Sequence, residues 1–191
     1  TVVAKIQTPG GRVNYAGDVL LSGVPFGAAP IPLEFPPSST PLLPTGAIRN
    51  TFDGVEVTCV NAGIPVVVVA AEALGVSGYE TPAELEGDPE LKRRVETIRL
   101  AAGEAMGLGD VSETTVPKVS LVAPPRDGGS ISTRTFIPRR VHTSIGVLMA
   151  VSVAATALIP GSVAEPSRVA GSVPSGIRIE HPTGYFDVDI E

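Results

Sequence analysis

Residues 145–158 constrain the fold more than any other part of the chain, because they are apolar on every side of the helix that their composition predicts. The run ends before Pro160 and Gly161, a sequence typical of a helix stop. It is shorter than the roughly 20 residues that a bilayer span requires, and Arg139 and Arg140 precede it. We therefore expect a core helix that other elements enclose, rather than a helix laid on a surface.

Short segments rich in β-branched residues accompany this helix and predict a sheet. One of them, residues 65–70, reads PVVVVA, and such a continuous apolar run is typical of a strand covered on both faces. A second helix is expected over residues 89–106, with Asp88 as its N-cap and Gly107 past its end. The other expected strands are residues 2–6, 19–21, 31–35, 55–60, 119–123 and 130–136, and two short strands on either side of residues 181–184.

These elements predict an α+β fold in which a curved mixed β-sheet or barrel wraps around the central buried helix. A helix packed beneath an open sheet is the alternative that the pattern leaves open. The length of 191 residues fits one large domain or one half of a two-domain enzyme.

Charge and cysteine content exclude several classes of function. The net charge is -6 and the pI is near 5.0, whereas a nucleic-acid surface requires a clustered excess of Lys and Arg. The single cysteine, Cys59, rules out an internal disulfide and a multi-cysteine metal site, and two histidines are too few for a convincing one. We expect a protein of a reducing compartment, cytoplasmic or organellar, that binds no nucleic acid, membrane or metal.

The start of the apolar helix, RRVHTSIG, is the most informative local feature. Thr143 and Ser144 are expected to cap the helix, whose first backbone N–H groups lack intrahelical partners and favour an anion. Arg139 and Arg140 lie just upstream, so a carboxylate or phosphate site is chemically reasonable. The alternative is an ordinary Ser/Thr cap beside two solvated arginines.

Two further residues are weaker candidates for ligand contact. Asn61 lies in an Asn-Ala-Gly turn between expected strands, where it either presents its amide to a ligand or only shapes the turn. Lys118 opens an apolar strand, where its ammonium either meets a carboxylate or is solvated. Cys59 is expected to be an inert core thiol. The residues alone thus indicate an anion site without a complete catalytic set.

Several segments, taken in order, resemble the C-terminal half of PrpF-type proteins. The resemblance spans nearly the whole chain, and the ordered combination is far more specific than any one segment. The PTG of residues 44–46 also fits, and there is a more distant resemblance to the second half of diaminopimelate epimerases. The segments are VTCVNAGIPVVVV, GDPELKRRVETIRLAAGEAMGL, TVPKVSLVAPP, RRVHTSIGVLMAVSVAATALIPGSV and IRIEHPTGYFDV.

The resemblance implies a two-lobe fold of the diaminopimelate epimerase type, with a curved sheet around a central helix in each lobe and the active site between the lobes. Residues 1–191 would be the C-terminal lobe, and the N-terminal lobe is then absent from this chain. Such proteins isomerise aconitate, methylaconitate, methylitaconate or oxalomesaconate by moving a proton between carbons, and the resemblance implies that no cofactor is required.

Two features of this family bear on catalysis. Epimerases carry a cysteine at the head of the second central helix, whereas this chain has His142, Thr143, Ser144, Ile145 and Gly146 there. PrpF-type enzymes place the lysine and the cysteine of proton transfer in the N-terminal lobe, which no segment here resembles. The resemblance therefore implies no catalytic residue in this chain.

We hypothesise that the chain is the substrate-binding half of a cofactor-independent isomerase that shifts a double bond or proton in an unsaturated di- or tricarboxylic acid such as aconitate. Its expected partners are the polycarboxylate and the N-terminal lobe, from the same enzyme or a separate chain, and a homo-oligomer is compatible with this role. The competing hypothesis is a non-catalytic module of the same fold that binds a carboxylate or pairs with a partner protein. The expected substrate contacts are Thr143, Ser144, the amide of Gly146, Asn61, Lys118, Thr45 and His142.

Overall fold

The computed structural model describes residues 2–36, 39–170 and 176–190. The chain divides into two compact units, residues 1–39 and residues 40–191. The first unit is small, and the second contains the large sheet and the helices.

The first unit has little regular structure. Strand β1 (Val3–Ala4) pairs antiparallel with β2 (Leu33–Glu34), and Val19 forms a single bridge with Ala28. The three strands expected in this region are thus reduced to short pairings. The strand residues Val3 and Leu33 are exposed, so these strands do not pack the buried face that normally stabilises a sheet.

A seven-stranded mixed sheet forms the second unit, and its strands follow one another in sequence order from one edge to the other. Neighbouring strands are antiparallel except for β5 with β6 and β7 with β8, which are parallel and joined by long crossovers. The strands are β3 (Asn50–Phe52), β4 (Val55–Asn61), β5 (Pro65–Ala70), β6 (Lys118–Ala123), β7 (Ile131–Phe136), β8 (Ile177–His181) and β9 (Gly184–Val188).

Strand β5 is buried on both faces, as its run of valines predicts. Val67 and Val69 belong to one hydrophobic core, while Val66 and Val68 belong to a second core on the opposite face. This alternation follows from the two-residue period of a strand. The sheet is therefore covered on both sides.

One face carries helices α1 (Pro82–Glu86) and α2 (Pro89–Ala105), which lie in the β5–β6 crossover. The Asp88 carboxylate accepts hydrogen bonds from the N–H groups of Glu90 and Leu91, so the expected N-cap is confirmed. Val95 and Ile98 on α2 pack into the core beneath the helix.

The apolar helix α3 (Val147–Leu158) lies in the β7–β8 crossover and packs on the other face. It contacts β4, β5, β8 and β9, and therefore reaches strands near both edges of the sheet. The sheet is nevertheless open, with β3 and β9 as its edges, and the expected closed barrel is not formed by the described strands. Leu148, Val151 and Ala155 are only half-buried, so the described residues do not enclose α3 on every side.

We predict that Ile98→Ala lowers the free energy of unfolding by about 2–5 kcal/mol, because it leaves a cavity beneath α2 where Ile98 is fully buried. Leu100→Ala is the matched control, since Leu100 lies on the same helix but is 37% exposed, and it should cost less than about 1 kcal/mol. Urea denaturation monitored by circular dichroism measures both. Equal losses for the two variants would contradict the assignment of the buried face.

Candidate functional site

One end of the sheet collects most of the residues singled out from the sequence. Asn61 ends β4 opposite Pro65, the first residue of β5, and Lys118 begins β6 beside Val66. The chain leaving β7 turns back so that the His142 N–H donates to the Thr135 carbonyl. The segment that enters α3 therefore begins at this same end of the sheet.

The turn between β4 and β5 packs against the first turns of α3. The Ala62 N–H donates to the Ser152 hydroxyl oxygen at 3.3 Å, and that hydroxyl donates to the Ile64 carbonyl at 3.2 Å. Gly63 has a φ of 108°, and a Cβ there would lie 2.9 Å from the Leu148 side chain. The positive φ favours glycine, and a Cβ here would also displace the end of the Leu148 side chain.

Helix α3 begins later than expected and without a side-chain cap. Its N-cap is Gly146, and no side chain accepts a hydrogen bond from the first turn. The expectation that Thr143 and Ser144 cap the helix is therefore wrong, because both residues lie before the N-cap in non-helical backbone. The first hydrogen bond of the helix joins the Ala150 N–H to the Gly146 carbonyl. The N–H groups of residues 147–149 therefore have no intrahelical partner and carry the positive end of the helix dipole.

The residues before α3 instead bond sideways to the β8–β9 hairpin. The Ser144 hydroxyl lies 3.3 Å from His181 Nε2, and the Thr183 hydroxyl donates to the Thr143 carbonyl at 3.0 Å. The Ser144 N–H donates to His142 Nδ1 at 3.0 Å. These contacts fix the approach to α3 without using the helix amides.

The two histidines present defined ring nitrogens. Because His181 Nδ1 accepts the Thr183 N–H at 3.3 Å, the ring proton of neutral His181 belongs on Nε2, which faces Ser144. Ser144 then accepts the hydrogen bond from His181, and its own hydroxyl proton is not used in this contact. By the same reasoning, the neutral His142 ring carries its proton on Nε2.

Burial keeps His181 neutral. It is the largest influence on the pKa of His181 and lowers it from the ordinary 6.5. The Tyr185 backbone opposes this shift, and the nearby His142 and Arg134 reinforce it. A neutral ring is the form that can donate to Ser144 through one nitrogen and accept from Thr183 through the other.

Lys118 and Thr45 are the two remaining candidates for contact with a substrate. Lys118 is half-buried at the end of the sheet, and burial together with the neighbouring Arg99 lowers the pKa of its ammonium. The Thr45 hydroxyl donates to Asn50 Oδ1 at 2.8 Å and so stabilises its own loop. The Asn61 N–H donates to the Leu42 carbonyl at 2.9 Å, so the loop that carries Thr45 is also bonded to the end of β4.

Cys59 does not join the site. It is fully buried in the core beneath α2, and burial raises the pKa of its thiol to about 12. The expected inert thiol is confirmed. Among the residues that the structure describes, no group of three or more His, Cys, Asp or Glu side chains could hold a metal ion. Nor is any helix in the described ranges long and apolar enough to cross a membrane.

The fold and this end of the sheet define an α+β domain built on an open mixed sheet, with the uncapped start of an apolar helix beside a Ser-His pair. The chain belongs to the PrpF family, whose sequence profile, described as PrpF protein, matches residues 1–191. It is 50% identical to a (4E)-oxalomesaconate Delta-isomerase of Novosphingobium sp. over 99% of this chain and 54% of that protein. It is 49% identical to a 4-oxalomesaconate tautomerase of Pseudomonas putida over 98% of this chain and 54% of that protein.

The chain spans about half the length of the curated relatives that it matches. A crystal structure of a methylitaconate-delta-isomerase superposes with a TM-score of 0.90 and covers 98% of this chain and 56% of the other. Its sequence identity is 22%, so this similarity supports the fold alone.

His181 and Thr183 were not recognised from the sequence as site residues. The EHPTGYF segment predicts a turn between strands, which the β8–β9 hairpin confirms. Nothing in the local pattern links His181 to Ser144, which lies 37 residues earlier. One feature of the sequence could have identified His181, namely that it is a polar residue on the strand face that otherwise carries Ile177 and Ile179.

We predict that His181→Gln flattens the fall in stability on acidification between about pH 7.5 and 5.5. Because the folded pKa of His181 is below 6.5, the unfolded chain binds more protons in this window, and stability decreases as the pH falls through 6.5 toward the folded value. Urea denaturation midpoints across the window measure the effect. Superimposable pH profiles for wild type and His181→Gln would refute the shift.

Proposed function

We propose that the protein is an isomerase or tautomerase acting on an unsaturated di- or tricarboxylic acid of the oxalomesaconate kind, and that this chain holds a substrate carboxylate at the start of α3. The observation that carries the proposal is the uncapped start of α3 beside the Ser144 hydroxyl, which His181 orients. The two relatives near 50% identity, named for isomerisation of oxalomesaconate, support the choice of substrate class.

The carboxylate would receive several donors at once. The free N–H groups of the first turn after Gly146 supply hydrogen bonds and the positive end of the helix dipole. The Ser144 hydroxyl and the Nε2–H of His142 add side-chain donors beside them. Asn61 and Lys118, at the same end of the sheet, are the further contacts that we propose for a second polar group of the substrate.

Binding of this kind also assists the reaction. Removing a proton from the carbon next to a double bond leaves a carbanion whose charge spreads into a conjugated carboxylate. Helix amides that already point at that carboxylate stabilise the added charge without reorganising. The positioned amides would therefore stabilise the transition state more than the ground state, and would raise kcat as well as affinity.

We assign no proton-transfer residue to this chain. Its cysteine is buried and its thiol pKa is raised to about 12, so a thiolate cannot act here near neutral pH. His181 is engaged on both ring nitrogens, which suits orientation of Ser144 rather than proton exchange with substrate. The proton-transfer groups would then lie in the part of the relatives that this chain does not cover.

The reaction is tested by incubating the full-length protein with 4-oxalomesaconate, 2-methyl-aconitate and cis-aconitate in deuterated water, with proton NMR as the readout. Isomerisation with solvent deuterium in the product is the expected result, because the proton is exchanged at a base. Binding of these acids without conversion of any of them would favour a non-catalytic carboxylate-binding module instead.

We predict that Thr143→Val together with Ser144→Ala raises KM by about ten- to a hundredfold, because a hydrogen bond to a charged group contributes about 1.5–3 kcal/mol. The unfolding midpoint should fall only through Ser144, whose hydroxyl contacts the buried His181 ring, since Thr143 is exposed and neither side chain caps α3. Thr51→Val is the matched control, an exposed threonine on the edge strand β3. Unchanged Michaelis constants in the double variant would remove the assignment of the carboxylate to this helix start.

A further inference from the structure

A second concave surface lies at the same end of the sheet but on the side of α2. It is a cleft of about 240 Å³ between the loop that follows α2 and the tight hairpin that follows β7. The residues that line it are Ser112, Glu113, Thr114, Thr115, Ile137, Pro138, Arg139 and Arg140.

The cleft carries an excess of positive charge. Arg139 and Arg140 are exposed, and neither guanidinium is among the ion pairs within 4.0 Å found in the described parts of the chain. Glu113 is the one acidic residue of the lining, and Ser112 and Thr115 contribute hydroxyl groups. Arginine and hydroxyl donors are the groups that recognise carboxylates and phosphates, and they are concentrated here although the whole chain has a net charge of -6.

One wall of the cleft is fixed by a buried arginine of α2. Arg99 is fully buried, and its guanidinium donates to the carbonyls of Val111 at 3.0 Å, Val116 at 3.4 Å and Thr114 at 3.5 Å. A two-point ion pair with Glu96, at 2.7 and 2.8 Å, balances its charge. A single side chain thus holds three positions of the loop, and the wall exists before any ligand arrives.

The other wall is fixed from α1. The hairpin closes through the Ile137 N–H, which donates to the Arg140 carbonyl at 2.7 Å. The Val141 N–H donates to Glu86 Oε1 at 2.8 Å, and Val141 also bridges to Phe136. Glu86 therefore anchors the base of the hairpin, while the two guanidinium groups extend from its tip.

We propose that this cleft is an oxyanion-binding site, separate from the start of α3, that takes the carboxylate or phosphate group of a small anionic ligand. The guanidinium groups lie opposite hydroxyls in a cleft whose backbone walls are already anchored, so anion binding has to order the arginine side chains but not the loops. After Arg140 the chain runs back along β7, where the His142 N–H donates to the Thr135 carbonyl, and only then crosses to the α3 side of the sheet. This segment separates the cleft from the start of α3. The proposal does not depend on the isomerase activity.

The test is a titration of the isotopically labelled protein with inorganic phosphate and, separately, with malonate at constant ionic strength, followed by amide chemical shifts. We expect saturable shifts in residues 112–115 and 137–140. Arg139→Gln combined with Arg140→Gln should weaken the affinity at least about tenfold, whereas Thr143→Val with Ser144→Ala should leave it unchanged. Tighter binding of phosphate than of malonate would identify a phosphate ligand, and the reverse order a carboxylate ligand.

A variant that should strengthen anion binding separates a binding effect from a merely structural one. Glu113→Gln removes the acidic group of the lining and should tighten anion binding severalfold, while Glu104→Gln, on the exposed end of α2, should not change it. The proposal is overturned if the arginine variant binds as tightly as wild type, if shifts do not saturate, or if they are confined to residues 143–149. A wild-type-like amide spectrum of each variant without ligand confirms that it is folded.

Discussion

The double burial of β5 is the constraint on which the large unit depends. Four consecutive valines alternate between two cores, so apolar layers must cover the sheet on both faces. The two helical crossovers supply these layers, α2 on one side and α3 on the other. Because β5 is parallel to β6 but antiparallel to β4, the chain must leave the sheet after β5, and α1 and α2 occupy that excursion.

The same arrangement brings the two kinds of group that we propose as anion ligands to one end of the sheet. On the α3 side, the donors are backbone amides that stay open because Ser144 bonds sideways to His181 instead of capping the helix. On the α2 side, they are guanidinium groups at the tip of a hairpin whose base Glu86 holds. Partly buried hydrogen bonds fix the backbone at both places, and they do not involve the amides or guanidinium groups that would bind the ligand.

Local patterns predicted much of the second unit. The capped helix α2, the valine strand β5 and the turn at Asn61 follow from short-range rules of capping, periodicity and turn chemistry. The short edge strand β3 was not expected, because its three residues carry no hydrophobic alternation. Strand segments in the first unit were overestimated, since β-propensity alone does not provide a partner strand.

The position of the start of α3 could be predicted from the sequence, but its hydrogen bonds could not. The continuous apolar run located the start of α3 to within two residues, and the Thr-Ser pair just before it singled out Thr143 and Ser144. Which hydroxyl bonds to which ring depends on strand register and on contacts between residues far apart in sequence, as between Ser144 and His181. A Ser-Thr pair before a helix also fits a cap, and only the backbone conformation distinguishes the two roles.

The two parallel strand pairs have a consequence for how the protein acquires its fold. Strands β5 and β6, and likewise β7 and β8, can pair only after a segment of dozens of residues has looped away and returned. Such pairings raise the contact order, so folding is expected to be limited by loop closure rather than by the hairpin turns. Since the contact of His181 with Ser144 joins β8 to the segment before α3, we expect it to form late in folding, and a peptide spanning the start of α3 alone would lack it.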